Sequence, residues 1–425
     1  MTPSIDHPLR YRLSSELHAR PFPFISVPQM VVFLALKSTR NAAGQSTDLE
    51  QLGALLDHYG APKPQEGANH HFGDLGKYQL KWEQHTEFST YTIFYSGLSD
   101  RAFDPAEFEV FPQNWLAQVT GTRITSALLR VMPRPEDDAA IGASLEEWFV
   151  AESLAAANVL DGAAMVSGDF RIDQAGHLRF AVFVSPETGQ RRVGRIVQRL
   201  CEIETYKAMS MLGFASVRDF AAELSAHDAQ LGDLIGAMRG SGAKVEETLH
   251  DLLDVSVSLE QLTARTSYRF AATAAYEALV TQRISALREE RFLGRQGFGE
   301  FMMRRYEPAM RTVKSTKERL TAMSDRALRA AELLRTRVDV ERSAQNQEIL
   351  ASMDKRSDLQ LRLQRTVEGL SVVAVSYYAV SLASYLIYPA SGPLGISKGV
   401  LTSVITLPVV ISVWWFLRRL RRESE

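Results

Sequence analysis

The segment Lys81–Phe88, Lys-Trp-Glu-Gln-His-Thr-Glu-Phe, concentrates the residue types best suited to chemistry. On a strand, alternate residues share a face. Glu83, His85 and Glu87 then line one side, with Trp82, Gln84, Thr86 and Phe88 on the other. Two carboxylates flanking an imidazole are able to hold a divalent metal or to serve as acid and base. The same spacing also describes a polar outer face over buried aromatics, or a structural ion-pair cluster. A site requires convergent residues from elsewhere, and the neighbouring candidates do not supply them. His70 and His71 are adjacent, so in an extended chain they point to different sides and chelate poorly together. His18 and Arg20 precede a proline-rich turn and read as part of a terminal arm docked on the body. Walker A, G-x-S-x-G, H-E-x-x-H and paired C-x-x-C motifs are absent. Gly294–Gly299 (GRQGFG) lacks both a preceding strand and a following Lys-Ser/Thr. The expectation is therefore a chain without a cofactor and without a catalytic set.

The elements that must position this segment follow from hydrophobic period. Met30–Leu36 is an apolar run of strand length, and Thr47–His58 is an amphipathic helix. YQLKWEQHTEFSTYTIFY is rich in aromatic and β-branched residues and divides into two strand segments. TRITSALLRVM is a further strand. GDFRIDQAGHLRFAVFVS is a hairpin turning at Asp173–Gly176. Gly189–Leu212 is a long helix with Val193, Ile196, Val197, Leu200, Ile203 and Met211 inward. Strands mingled with helices and joined as hairpins give an α+β body.

Ala243–Leu293 contains no Gly or Pro. Val245, Leu249, Leu252, Ser256, Leu259, Thr263, Thr266 and Phe270 alternate steps of four and three, the spacing of a coiled coil or helical hairpin. After Pro308 the steps resume at Met310, Val313, Lys317, Leu320, Ser324, Ala327, Ala331, Leu334 and Val338. The polar run Glu341–Glu348 then reads as a solvated stretch or a polar layer between subunits.

Apolar residues concentrate at the far end. Leu370–Tyr388 and Val400–Leu417 carry no charge, and each approaches the length that spans a hydrocarbon core. Arg356, Arg362 and Arg365 precede the first stretch. Trp414, Trp415, Arg418, Arg419, Arg421 and Arg422 close the second, while the loop between carries only Lys398. By the positive-inside rule both ends face the cytoplasm and the arginines orient the pair. Ser371, Ser376, Tyr377, Tyr378, Ser381, Ser384 and Tyr385 form a packing face in the first span, or a pore lining. The N-terminal run lacks the apolar core of a signal peptide. The one cysteine, Cys201, excludes an internal disulfide and fits a reducing compartment. A formal net charge of −2 with no basic block argues against a nucleic-acid partner.

The expected organisation is an arm over 1–24, an α+β cytoplasmic body over 25–215 and a long-helix coiled-coil stalk over 216–369. A transmembrane hairpin over 370–417 and a basic tail over 418–425 complete it. The phrases HPLRYRLSSELHARPFPF, LKWEQHTEFSTYTIF, GRIVQRLCEIETYKAMSMLG, FGEFMMRRYEPAMRT and QLRLQRTVEGLSVVAVSYY resemble the family called Domain of Unknown Function 3422, over almost the whole chain. The resemblance implies an anchor in the bacterial inner membrane and brings no catalytic residues with it. The expected function is a membrane-anchored scaffold that self-associates through its stalk and first span, with the bilayer, further copies of itself and a cytoplasmic protein as partners. The alternative resembles the CorA-type magnesium channels in the order of its parts. It departs from them in lacking Gly-Met-Asn at the start of the outer loop, where Lys398 would repel cations.

Overall fold

Among the residues that the computed structural model describes (6–11, 22–38, 42–238, 243–390 and 397–424), nine strands form one sheet. They are β1 (Gln29–Lys37), β2 (His70–Asp74), β3 (Gln79–Gln84), β4 (Phe88–Ser96), β5 (Thr122–Pro133), β6 (Ala155–Val159), β7 (Ala164–Gly168), β8 (Leu178–Val184) and β9 (Glu290–Arg291). Their order is β2-β3-β4-β1-β5-β8-β7-β6-β9. Every neighbouring pair is antiparallel except β5–β8. The expected strands correspond to β1, β3, β4, β5 and β8. The turn at Asp173–Gly176 is present, with Gly176 N–H donating to the Asp173 carbonyl at 3.0 Å. Its first arm, however, is Ala164–Gly168 rather than the residues directly before the turn.

Period two on these strands separates two faces. Met30, Val32, Leu34, Trp82, Tyr91, Ile93, Leu128 and Phe183 point to one side. There they bury against α1 (Ala42–His58), a 3-10 turn (Pro105–Val110), α2 (Gln113–Gln118) and α3 (Asp138–Trp148). The Trp115 indole N–H donates to the Gln51 carbonyl at 2.8 Å, so this aromatic enters the core without an orphaned donor. The opposite face lies under α4 (Gln190–Ala237), whose Val193, Ile196, Val197 and Leu200 are buried as their spacing predicts.

The long helices are α4, α5 (Ala243–Leu287) and α7 (Glu307–Ile387), with the short α6 (Phe298–Arg305) between the last two. Helix α4 passes residue 215 without a break. The chain divides into two compact units, Met1–Arg239 with His250–Ala330, and Gly240–Leu249 with Ala331–Glu425. In the first unit α4, α5 and α7 pack together. Phe220 meets Phe270 edge to face at 6.1 Å, and the Ser210 and Tyr306 hydroxyls lie 2.7 Å apart. A Cβ on Gly213 would collide with the Thr273 side chain, so this glycine sets the close approach of α4 to α5.

The buried stripe of α5 is Val245, Thr248, Leu252, Val255, Leu259, Leu262, Thr266 and Phe270. Alternate expected positions hold, but Leu249, Ser256 and Thr263 are only half-buried and their predecessors take the interior. The three-four period is therefore correct, and its phase differs at Leu249, Ser256 and Thr263. On α7 the expected positions are buried apart from Lys317, which is exposed, and Ser324, which is half-buried.

In the second unit, the α7 residues from Arg342 to Thr366 are all exposed. Among the described residues two helices are long and apolar enough to cross a membrane: α7 at its end, and α8 (Lys398–Ser424) over Lys398–Arg419. The 1–24 arm, with His18 and Arg20, lies largely outside the described residues. So do most of the loop between the two apolar helices and the side chains of Arg421 and Arg422.

Candidate functional site

The alternation that sends Trp82 into the core sends Lys81 and Glu83 to the other face. Strand register places Lys81 opposite Thr92, Thr92 opposite Phe33, and Glu83 opposite Thr90. This row forms the floor of a cavity of about 490 Å³ in the first unit. Helix α4 supplies Val197, Gln198, Arg199, Cys201, Glu202, Thr205 and Tyr206, and the end of α5 supplies Gln282, Arg283 and Ala286. Phe22 and Pro23 close one side. A Cβ on Gly194 would collide with the Pro23 carbonyl oxygen, so glycine there lets the chain lie directly on α4.

Five polar groups form one connected chain across the cavity. Lys81 Nζ lies 3.2 Å from Glu83 Oε2 and donates to Gln198 Oε1 at 2.8 Å. Gln198 Nε2 donates to Glu202 Oε1 at 2.8 Å, and Arg283 pairs with the same carboxylate. Spacing of four along α4 puts Gln198 and Glu202 on one face. The chain is charge-balanced, with Lys81 and Arg283 against Glu83 and Glu202. Arg199 stands beside it and donates from Nη1 to the Ala286 carbonyl at 2.8 Å. Burial lowers its pKa, and the charges of Arg195 and Arg283 lower it further. Cys201 is buried, and desolvation raises its thiol pKa, which keeps it neutral.

The structure separates Glu83, His85 and Glu87. Strand β3 ends at Gln84 and β4 begins at Phe88, so His85 and Glu87 lie in the turn of a hairpin rather than on one strand. Glu83 and His85 both line the cavity. His85 stacks on Phe88 at 4.4 Å. Glu87 turns away, into a buried pair with Arg269 and a 3.1 Å hydrogen bond from the Tyr276 hydroxyl. Among the described residues no three of His, Cys, Asp and Glu are grouped to hold a metal ion. What the geometry provides at Glu83 is an ion-pair network.

In the first apolar stretch Ser376 and Ser384 are buried, whereas Ser371, Tyr377, Tyr378 and Tyr385 are exposed and Ser381 is half-buried. The expected single face is thus divided between two sides of the helix. Arg418 lies over the Trp414 ring at 5.0 Å and Arg419 over Trp415 at 5.8 Å. Cation–π pairs of this kind suit an interfacial position.

The core face of the sheet carries a second polar cluster that period alone did not reveal. Asp48, on α1, accepts hydrogen bonds from Ser38 Oγ at 2.7 Å and Gln84 Nε2 at 3.4 Å. Burial holds its carboxyl above the ordinary value of 3.8, against the lowering effect of those two bonds. The folded chain then binds this proton more tightly than the unfolded chain does. Stability therefore falls as pH rises from that ordinary value through the raised one. Asp48→Asn removes the titration. We expect the variant to gain on the parent as pH rises toward neutrality, with the smallest difference below pH 3.8. Paired thermal melts across that range check this, and a difference that does not vary with pH would count against it.

The residues that build the cavity come from positions 22–23, 33, 81–94, 197–206 and 282–286. Sequence reading singled out Glu83 and His85 but missed Lys81, Gln198, Arg199, Glu202 and Arg283. The available signals were a lysine on the same strand face as Glu83 and a polar i, i+4 pair beside the apolar stripe of α4. No curated protein and no solved structure matches the chain. A family model described as "Protein of unknown function (DUF3422)" matches residues 5–424, and the chain belongs to that family.

Proposed function

We propose that this protein is a membrane-anchored scaffold whose copies associate through α7 and whose α+β unit meets a partner protein in the cytoplasm. The observation that carries this reading is the exposed part of α7. Ile349, Met353, Leu363, Val367 and Leu370 are all more than half exposed. They fall on alternating steps of four and three, with Arg356 and Gln360 at the intervening positions. A period of 3.5 is the seam of helices that wind around one another, and here it is left exposed among the described residues. The seam runs directly into an apolar stretch where Leu382 and Leu386 are exposed, as they would be in lipid. The arginines on the outer ends of the two apolar stretches support a placement with both termini on the cytoplasmic side of a bacterial inner membrane. Copies held in one membrane enter it in the same sense, which favours a parallel seam.

Disulfide trapping in native membranes tests the association. Cys201 is buried and so contributes little background. Met353→Cys, on the seam, is expected to give a covalent dimer, and Asp358→Cys, on the opposite side of the helix, far less. Equal yields at the two positions would remove the seam from the argument. The mass of the detergent-purified chain then addresses the pore alternative. A closed ring of several copies would favour it, whereas a dimer has too few first spans to enclose a channel.

A further inference from the structure

Among the described residues the cavity has one guanidinium or ammonium group more than its internal ion pairs consume. Lys81 and Arg283 are matched by Glu83 and Glu202. Arg199 lines the same cavity, bonds a neutral carbonyl and makes no ion pair within 4 Å among the described residues. Arg195, Arg283 and Arg288 all act on it with like charge, and Glu202, which acts on it favourably, is already paired. A guanidinium in this position presents planar donors suited to a carboxylate. The floor beside it is of a different character. Phe33 and Phe94 are diagonal neighbours on adjacent strands and Val197 comes from α4, and these three give the lining its apolar part, with Phe88 farther along β4 beyond Thr90 and Thr92. The volume is in the range of small-ligand pockets, which combine an apolar lining with a few convergent polar groups.

We propose that this cavity binds a small organic monocarboxylate, its carboxylate on Arg199 and its aromatic or branched body against Phe33, Phe94 and Val197. The anion supplies the counter-charge that Arg199 does not find among the described residues. Burial of both partners strengthens the pair relative to one at the surface. The apolar body excludes water from a wall that would hydrogen-bond it poorly. Such a ligand would bridge the sheet, α4 and the end of α5, and so couple occupancy to the packing of the unit.

The test uses the full chain in detergent micelles, with calorimetric titration of phenylacetate, indole-3-acetate and isovalerate against their neutral amides. Saturable binding of one acid per chain is expected, with the matched amide at least about tenfold weaker, as for loss of a charge-assisted contact. Arg199→Met is expected to lose a similar factor and Arg199→Lys to recover part of it. Because Arg199 also bonds Ala286, Thr92→Leu provides a second variant that narrows the floor and leaves every charge in place. It should weaken the larger indole-3-acetate more than isovalerate. Equal binding of acid and amide, absence of binding by all three acids, or binding indifferent to both variants would overturn the proposal. Inorganic phosphate competing as well as the acids would overturn the apolar half of it.

Discussion

Arg269→Met is expected to destabilise the α+β unit by about 3–5 kcal/mol, the range for removing one partner of a buried ion pair. Glu87 is 4 % exposed, and Arg269 and Tyr276, both on α5, hold its carboxylate. Burial and the Glu87 charge push the Tyr276 hydroxyl pKa up, so the phenol stays protonated and keeps donating. One phenolic hydrogen bond does not replace a guanidinium. The variant therefore leaves a desolvated charge in the turn between β3 and β4, where that hairpin meets α5. Replacing both partners, Glu87→Leu with Arg269→Met, removes the stranded charge and should recover a large part of the loss. The surface pair Arg265–Glu223 is an internal control. Its N–O distance is 2.6 Å, but both side chains are largely exposed, so Arg265→Met should cost no more than about 1 kcal/mol. Thermal and denaturant unfolding of the four proteins decides the matter. A double variant no more stable than Arg269→Met would show that packing, not charge, accounts for the loss.

The second large effect concerns the first apolar stretch. Leu382 and Leu361 lie on the same helix and are both more than half exposed. Under the proposed placement Leu382 faces hydrocarbon and Leu361 faces water. An arginine near the centre of a span costs about 3 kcal/mol on insertion scales, a factor on the order of one hundred. Leu382→Arg should therefore move much of the protein out of the alkali-resistant membrane fraction, and Leu361→Arg should leave the distribution unchanged. Retention of Leu382→Arg equal to that of the parent would place this face of the helix outside lipid.

Period and composition made much of the architecture legible. Strands β1, β4 and β5 are long and rich in aliphatic, aromatic or β-branched residues, so their pattern stands out. Strand β6, AAANV, consists mainly of alanine, which favours helix, and β2, HHFGD, is polar at a sheet edge. Both are strands because a neighbour supplies their hydrogen bonds. At Glu83, His85 and Glu87 the alternation was carried through a turn containing no Gly, Pro or Asn. The hairpin closes there because β3 and β4 pair in register from Gln84–Ser89 outward. The phase of α5 differs at Leu249, Ser256 and Thr263 for a related reason. A three-four period states that a helix buries a stripe, but the neighbouring helices choose which edge of that stripe is innermost.

By itself, then, the sequence determined the family, the α+β class, the long helices and the two apolar stretches long enough to cross a membrane. Each of these depends on residues close together in the chain, where local propensity and solvent preference act alone. Tertiary structure decided the strand order, the parallel β5–β8 pairing and the cavity. Lys81 meets Gln198 across 117 positions, and Glu202 meets Arg283 across 81. No local pattern encodes such pairs, because their energy arises only after the sheet and helices have packed and removed those charges from water.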